Sequence, residues 1–126
     1  MTRQEEKRAL RATLRRIAEG LPESYRKKAD SAIAAHLLAM PAYQEAETVF
    51  CFVGTGWEID TRPILTQALS DGKCLCVPLC TGPGLMELRQ IMALDQLTPG
   101  AYHLPEPPVG APLVTVDEVD LAILPC

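Results

Sequence analysis

Two short apolar runs with a helix-like segment between them constrain the fold of this chain more than any other feature. The first run, TVFCFV, covers residues 48–53, and the second, KCLCV, covers residues 73–77. Neither run alternates between apolar and polar residues, as expected for strands inside a parallel sheet. Between them, DTRP at residues 60–63 predicts a helix start, and DG at residues 71–72 predicts its end. A strand, a helix and a second strand in this order predict a right-handed parallel crossover.

Two further helices are predicted before this unit. TRQE at residues 2–5 has the form of a capping box. The apolar residues that follow it at helical spacing are Leu10, Leu14, Ile17 and Leu21. A second helix is predicted over residues 23–39, with an inner face formed by Ala29, Ile33, Leu37 and Met40.

The remaining segments complete an α/β prediction. Residues 85–92 are a third candidate strand, residues 97–112 are mostly loop, and residues 116–124 bring in a last buried strand. We therefore predict an α/β fold with an open, mainly parallel sheet flanked by helices in a three-layer α/β/α arrangement, including two N-terminal helices. The length fits one domain over residues 1–126.

Composition excludes several partners and locations. The formal net charge of −4 gives no indication of a nucleic-acid partner. No apolar stretch approaches the roughly 20 residues that span a bilayer. The N-terminal segment has no apolar signal-peptide core, and Glu5, Glu6 and Glu19 argue against a mitochondrial transit peptide. We therefore expect a cytoplasmic protein with no membrane partner.

The five cysteines are interpreted as reduced core thiols. Cys51 lies in the first apolar run, and Cys74 and Cys76 lie in the second. CLCVPLC places three sulfur atoms at short spacing, but no second Cys or His cluster supplies a fourth zinc ligand. The odd number of cysteines argues against a disulfide framework. No metal ligands are predicted among these residues.

Glu58 is the candidate binding residue that follows most directly from the predicted fold. It comes two residues after Gly56, beyond the first strand, and open α/β sheets bind ligands beyond the carboxyl ends of their strands. The alternative is a solvated loop acid. Asp60 and Thr61 are better explained as helix caps. Trp57 either lines a pocket or covers the edge of the core.

A row of cations on the first predicted helix is a candidate phosphate site. Lys7 and Arg11 are four residues apart and share one helix face. Such a row can hold a polyphosphate, but it is also typical of a solvated helix face. The sequence contains no Ser/His/Asp or Cys/His arrangement, no Walker loop and no GxGxxG motif. It therefore predicts no catalytic residue and no covalent mechanism.

Six short pieces of the sequence resemble, in order, the pattern of one enzyme family, the 5-formyltetrahydrofolate cyclo-ligases, also called 5,10-methenyltetrahydrofolate synthetases. Each piece is short, but together they cover essentially the whole chain. The pieces are KRALR at residues 7–11, VFCFVGTGWEIDT at 49–61, ALSDGKCLCVP at 68–78, LMELRQI at 85–91, HLPEPP at 103–108 and VDLAILP at 119–125.

The resemblance implies a ligase that closes 5-formyltetrahydrofolate to 5,10-methenyltetrahydrofolate with hydrolysis of MgATP, and therefore a need for ATP and Mg²⁺. In the implied mechanism the N5-formyl oxygen attacks the γ-phosphate, N10 then adds, and phosphate leaves. Such chemistry depends on positioning and charge neutralisation more than on a protein nucleophile.

The resemblance also implies roles for particular residues. By position, Lys7 and Arg11 would contact ATP phosphates, and Glu58 would bind the pterin end of the folate. A carboxylate suits that end because it can accept a pair of hydrogen bonds from the 2-amino group and a ring N–H. Trp57 and Met86 would be apolar neighbours of the folate.

The resemblance departs from the family pattern at the end of the sequence. Family members continue past the DLAILP strand into a segment of the form G-x-R-x-G-x-G-x-G-[FY]-Y-D, which supplies further phosphate and Mg²⁺ contacts. This sequence stops at Cys126. We therefore expect a single α/β domain that is the N-terminal part of a longer cyclo-ligase-like domain, and a truncated relative is the other interpretation.

Two other functions stay open at this point. A non-catalytic folate-binding or interaction module of the same fold is the main alternative, because the Gly-rich segment is absent. An enzyme acting on sugar phosphates or CoA-type substrates would need a further acid or histidine at the strand ends, which the sequence does not offer.

Overall fold

The computed structural model describes residues 2–56, 58–100 and 104–125 and contains the predicted strand-helix-strand unit. None of the helices in these ranges is long and apolar enough to cross a membrane. The helices are α1 (Arg3–Glu19), α2 (Glu23–Ala39), α3 (Pro41–Glu45) and α4 (Arg62–Ser70). The strands are β1 (Thr48–Cys51), β2 (Cys74–Gly82), β3 (Leu85–Ile91), β4 (Thr98–Pro99), β5 (Pro105–Glu106), β6 (Leu113–Val114) and β7 (Leu121–Ile123).

A five-stranded sheet in the order β6-β3-β2-β1-β7 forms the centre of the fold. β1 pairs in parallel with β2 and with β7, while β3 is antiparallel to β2 and to β6. β3 therefore runs against the other strands of this sheet, because a tight turn at Gly84, with φ of 70°, joins it directly to β2. The predicted α/β class with a mainly parallel sheet is confirmed.

Helices α2, α3 and α4 pack on one face of the sheet. Ala34 of α2, Tyr43 of α3 and Leu65 of α4 belong to one buried cluster with Val49 of β1 and Leu75 of β2. Burying an aliphatic side chain of this size contributes about 1.5–3 kcal/mol. This cluster holds β1 and its two flanking connections in place.

The face of α2 that packs on this cluster differs from the predicted one. The predicted Leu37 packs against the core, together with Leu38 and the buried Ala34. In contrast, the predicted Ile33 and Met40 are 42% and 45% exposed. Met40 has an extended backbone and separates α2 from α3, so helical spacing does not extend to it. The prediction was therefore wrong for Ile33 and Met40.

The N-terminal helix α1 forms as predicted but leaves its apolar stripe exposed. The Thr2 hydroxyl accepts from the Glu5 N–H at 3.2 Å, and the Glu5 carboxylate accepts from the Thr2 N–H at 3.3 Å, which completes the capping box. No residue of α1 is buried, and Leu14 is 53% exposed. Of the two N-terminal helices, α2 is the one that packs on the sheet.

The second face of the sheet is covered by a connection. Phe50 and Cys76 are buried there against Val114, and Val119 packs on the same cluster. Val114 ends β6 at one edge of the sheet, and the chain then crosses to β7 at the other edge through a short 3₁₀ turn, Val116–Glu118. In the described part of the chain, the third layer is thus this crossing segment and not a helix.

β2 continues beyond the predicted apolar run and passes through Pro78. Its pairing with β1 ends at Cys76. The N–H of Cys80 lies on the same side of β2 as the Pro78 nitrogen. It donates to the side-chain carboxylate of Glu106 at 2.6 Å and not to the backbone of a neighbouring strand. Pro78 therefore removes no hydrogen bond from the sheet.

Candidate functional site

A cavity of about 1050 Å³ lies at the carboxyl end of β1. Its walls come from residues 53–56 and 58–62 of the loop between β1 and α4 (the 53–62 loop), from the first half of α2 and from the segment between β3 and β5. Val53, Leu94 and Leu97 supply apolar surface. The cavity occupies the place where open α/β sheets bind their ligands.

Buried contacts close the base of the 53–62 loop. The Thr61 hydroxyl donates to the Phe52 carbonyl oxygen at 2.9 Å and accepts from the Gly54 N–H at 3.0 Å, and Thr61 is fully buried. A Cβ atom at position 54 would collide with the Ile59 carbonyl oxygen, so only glycine allows this close approach. The two ends of the loop, where it leaves β1 and where it enters α4, are therefore held together.

The start of α4 is capped by one of the two predicted residues. Asp60 accepts a hydrogen bond from the Arg62 N–H at 3.0 Å. Thr61 occupies the N-cap position without making a side-chain cap, because its hydroxyl is used inside the loop. The predicted capping role was therefore wrong for Thr61.

Glu58 lies in the loop with one carboxylate oxygen fixed. Its Oε1 accepts from the Thr55 N–H at 3.0 Å and lies 3.4 Å from the Thr55 hydroxyl. Its own N–H donates back to the Thr55 carbonyl oxygen at 3.1 Å. No donor within the described ranges contacts Oε2. The side chain is thus oriented by the loop while one oxygen remains available to a ligand in the cavity.

Charged side chains of both signs line the cavity. A lining with more acids than cations suits a polar ligand that carries N–H donors better than it suits a polyphosphate. The cations are Arg26, Lys27 and Arg62, and the acids are Glu23, Asp30, Glu58, Asp60 and Asp95.

Comparison with known sequences assigns the family. A sequence model of the 5-formyltetrahydrofolate cyclo-ligase family matches residues 3–126. The chain belongs to this family. The resemblance carried by the six sequence pieces is thereby confirmed. A separate search of curated proteins found no match.

Comparison with solved structures supports the cyclo-ligase fold. The NMR structure of Aquifex aeolicus 5,10-methenyltetrahydrofolate synthetase is similar, with a TM-score of 0.81 and 23% sequence identity. The match covers 92% of this chain and 58% of that protein. At this identity the likeness shows the fold, and the chain spans less than two thirds of the length of the similar structure.

The five residues that the resemblance assigned to a cyclo-ligase site are spread over the molecule. Glu58 lines the cavity, whereas Met86 lies 52% exposed on β3 and is not part of its lining. Lys7 and Arg11 are exposed on α1 and do not line the cavity either. Trp57 lies outside the described residues. The roles of all five stay predictions.

Arg26 is a site residue that the sequence reasoning missed. Its Nη2 donates to the Gly56 carbonyl oxygen at 2.7 Å and so joins α2 to the Glu58 loop. The two residues are 30 positions apart, and no local pattern marks such a long-range contact. Arg62 also lines the cavity, and its place in the first turn of α4 was the only sequence signal for it.

Two of the cysteines belong to the core and do not line the cavity. Cys51 and Cys76 are buried, which confirms their interpretation as core thiols. Burial raises the pKa of each thiol to about 12, so both stay protonated and unreactive at neutral pH. In the described ranges, no group of three or more His, Cys, Asp or Glu side chains is arranged to hold a metal ion.

Proposed function

We propose that this chain binds 5-formyltetrahydrofolate and takes part in its ATP-dependent closure to 5,10-methenyltetrahydrofolate, with release of ADP and phosphate. Family membership supports the reaction class. The single observation that carries the proposal is Glu58, held at the carboxyl end of β1 with Oε2 directed to no partner among the described residues. The expected cytoplasmic location belongs to the same proposal.

The cavity fits the pterin end of a folate. Glu58 would accept hydrogen bonds from the pterin 2-amino group and a ring N–H, and Val53, Leu94 and Leu97 would contact the flat ring system. Its volume of about 1050 Å³ is close to the range of known small-molecule sites. Trp57 and Met86 remain proposed apolar neighbours.

The chain would contribute binding and orientation and no nucleophile. The reacting formyl oxygen belongs to the substrate, so the protein has to hold the pterin while N5 and N10 approach the same carbon. Glu58, with its Oε1 locked by Thr55, serves this purpose because its free oxygen has a defined direction. Excluding water from the apolar side of the cavity would also protect an activated formyl group.

ATP would be contacted by Lys7 and Arg11 on α1. Both side chains are exposed, and neither has a hydrogen-bond partner in the described part of the chain, so both are available to phosphate oxygens. The described residues contain no cluster that could hold Mg²⁺. We therefore assign no residue of this chain to the metal, which would arrive with the nucleotide.

The alternative is a folate-binding or interaction module without turnover. The observation that favours it is that the cavity lined by Glu58 lies apart from Lys7 and Arg11, neither of which is among its lining residues. The module would bind 5-formyltetrahydrofolate through the same cavity.

The test measures binding and turnover in one preparation. Purified protein is titrated with 5-formyltetrahydrofolate by calorimetry, and methenyltetrahydrofolate absorbance is then followed with and without MgATP. Product that appears only with MgATP supports the ligase. Binding without product supports the module. No binding would remove both.

Glu58→Gln is the matching variant. Loss of a charged acceptor should raise the Kd for 5-formyltetrahydrofolate about ten- to a hundredfold, because hydrogen bonds to a charged group contribute about 1.5–3 kcal/mol. Glu45→Gln, on the exposed surface of α3, is the control and should leave the Kd unchanged. An unaltered Kd in Glu58→Gln would rule out the pterin assignment.

A further inference from the structure

We propose that Arg26 is a positioning residue for Glu58, acting through the Gly56 carbonyl oxygen. The proposal rests on the proposed function, because Glu58 is taken to be the folate-binding residue. It adds a residue of α2 that belongs to none of the six sequence pieces on which the family resemblance depends.

The 53–62 loop, which carries Glu58, has a base at Gly54 and Thr61 and a tip at Thr55, Gly56 and Glu58. The base and the tip are held in different ways. The base is fixed by the buried hydroxyl of Thr61 and by the close approach at Gly54. The tip carries the mutual contacts between Thr55 and Glu58, which link the tip only to itself. Among the described residues, the hydrogen bond from Arg26 is what connects the tip to another element.

The tip needs an external contact because Gly56 is its most permissive residue. Gly56 has φ of 60°, in the left-handed region, and a Cβ there would meet nothing within 4 Å. Glycine in open space has many accessible backbone conformations, so packing does not select the observed one. A hydrogen bond to the Gly56 carbonyl oxygen does select it, and with it the direction of Glu58.

Arg26 is suited to this role because α2 is anchored. Ala34, Leu37 and Leu38 pack on the main core and fix the axis of the helix. The guanidinium of Arg26, a residue of intermediate exposure that lines the cavity, then reaches the loop with one Nη2–H. The hydrogen bond from Arg26 thus connects the Glu58 loop to the hydrophobic core through α2.

The first readout is backbone amide exchange, which does not depend on any ligand. In Arg26→Met, the amides of Thr55 and Glu58 should exchange about five- to tenfold faster, since a partly exposed charged hydrogen bond is lost. Lys28→Met is the matched control, because Lys28 is an exposed cation on α2 that does not line the cavity. Equal exchange in the two variants would overturn the proposal.

The second readout separates positioning from general structure. Arg26→Met should raise the Kd for 5-formyltetrahydrofolate about five- to tenfold and leave the Kd for ATP unchanged, and Arg26→Lys should recover part of the loss. Combined with Glu58→Gln, the Arg26→Met effect on folate affinity should largely disappear, because Arg26 acts through Glu58. Full additivity of the two effects would contradict this.

Failure of the proposed function has a different signature. If the unmodified protein bound no 5-formyltetrahydrofolate, the folate assignment would fail, while the exchange experiment would still decide whether Arg26 fixes the tip. If the protein bound folate, and Arg26→Met and Arg26→Lys matched Lys28→Met in amide exchange and in folate affinity, the function would stand and the positioning role would be wrong.

Discussion

Thr61 joins the end of β1 to the start of α4 through a single hydroxyl group. It donates to the Phe52 carbonyl oxygen and accepts from the Gly54 N–H, and Thr61 itself is fully buried. Because the Thr61 hydroxyl forms hydrogen bonds with two backbone groups, it holds the two ends of the loop together. Its contribution can be measured because valine has nearly the same shape.

Thr61→Val should destabilise the fold by about 1–3 kcal/mol, since it removes the partner of the buried Phe52 carbonyl oxygen and of the part-buried Gly54 N–H. The measurement is urea unfolding followed by circular dichroism. Thr61→Ser keeps the hydroxyl and should retain most of the stability. A Thr61→Val protein as stable as the parent would show that the two backbone groups find other partners.

At the scale of the secondary-structure elements, Asp120 fixes the entry of two neighbouring strands. Its Oδ2 accepts from the N–H groups of Thr48 and Glu47, each at 3.0 Å, and its own N–H donates to the Thr48 carbonyl oxygen at 2.9 Å. These contacts set the parallel register of β1 and β7, in which Val49 pairs with Leu121. They also favour the charged carboxylate over the neutral acid.

Asp120 should therefore contribute a pH-dependent part of the stability. Hydrogen bonds from the Thr48 and Glu47 N–H groups lower the pKa of Asp120 below its ordinary value. A carboxyl group whose pKa is lower in the folded state stabilises the fold above its unfolded pKa, about 3.9. That contribution is lost as the pH falls through the folded pKa.

The measurement compares the protein with Asp120→Asn in urea between pH 7 and pH 2. The stability difference should be largest at neutral pH and should shrink as the pH falls from the unfolded pKa, about 3.9, through the lower folded pKa. Asp117→Asn, an exposed acid in the neighbouring 3₁₀ turn, is the control. A difference that stayed constant with pH would show that the charge of Asp120 plays no part.

The elements that sequence could predict are those determined by local pattern. The capping box of α1 and the β-α-β unit follow from spacing, glycine, proline and apolar runs. The last strand, β7, forms in the predicted segment, but the prediction that it is buried was wrong, because β7 lies at an edge of the sheet and its Ala122 is exposed. β3 was recognised as a strand, but its reversed direction depends on the short turn at Gly84. The continuation of β2 through Pro78 depends on Glu106, whose carboxylate accepts from the N–H of Cys80, 26 residues earlier.

The candidate site was predictable at Glu58 and not beyond it. Glu58 follows a recognisable strand, so the rule for strand ends leads to its position. Arg26 reaches the loop from α2. The position of Thr61 before α4 suggests a helix cap, but its hydroxyl donates to the Phe52 carbonyl oxygen instead. Both roles depend on tertiary contacts, which have no sequence signature in a single chain.

At the scale of the whole molecule, the helices contribute unequally to the hydrophobic core. α4 buries Ile64, Leu65 and Ala68, whereas α1 buries none of its residues. The stability of this chain should therefore depend on α4 far more than on α1, although both helices have an apolar stripe.

A pair of matched substitutions tests this difference. Leu65→Ala should cost about 2–5 kcal/mol, because it opens a cavity in the core. Leu14→Ala should change the stability by less than about 0.5 kcal/mol, since Leu14 is 53% exposed. Unfolding of both variants is measured in the same urea series, and a large loss in Leu14→Ala would mean that α1 packs against another surface in solution.

The position of β1 between β2 and β7 has a consequence for synthesis on the ribosome. β1 and β2 emerge close together, but the other edge of β1 must wait for β7. Asp120, directly before β7, contacts Thr48 across 72 residues of sequence. During this interval a nascent chain presents the open edge of an apolar strand, which is a template for pairing with other chains. Slow translation between β3 and β7 should therefore make this protein dependent on chaperones, even though the finished sheet encloses β1 on both sides.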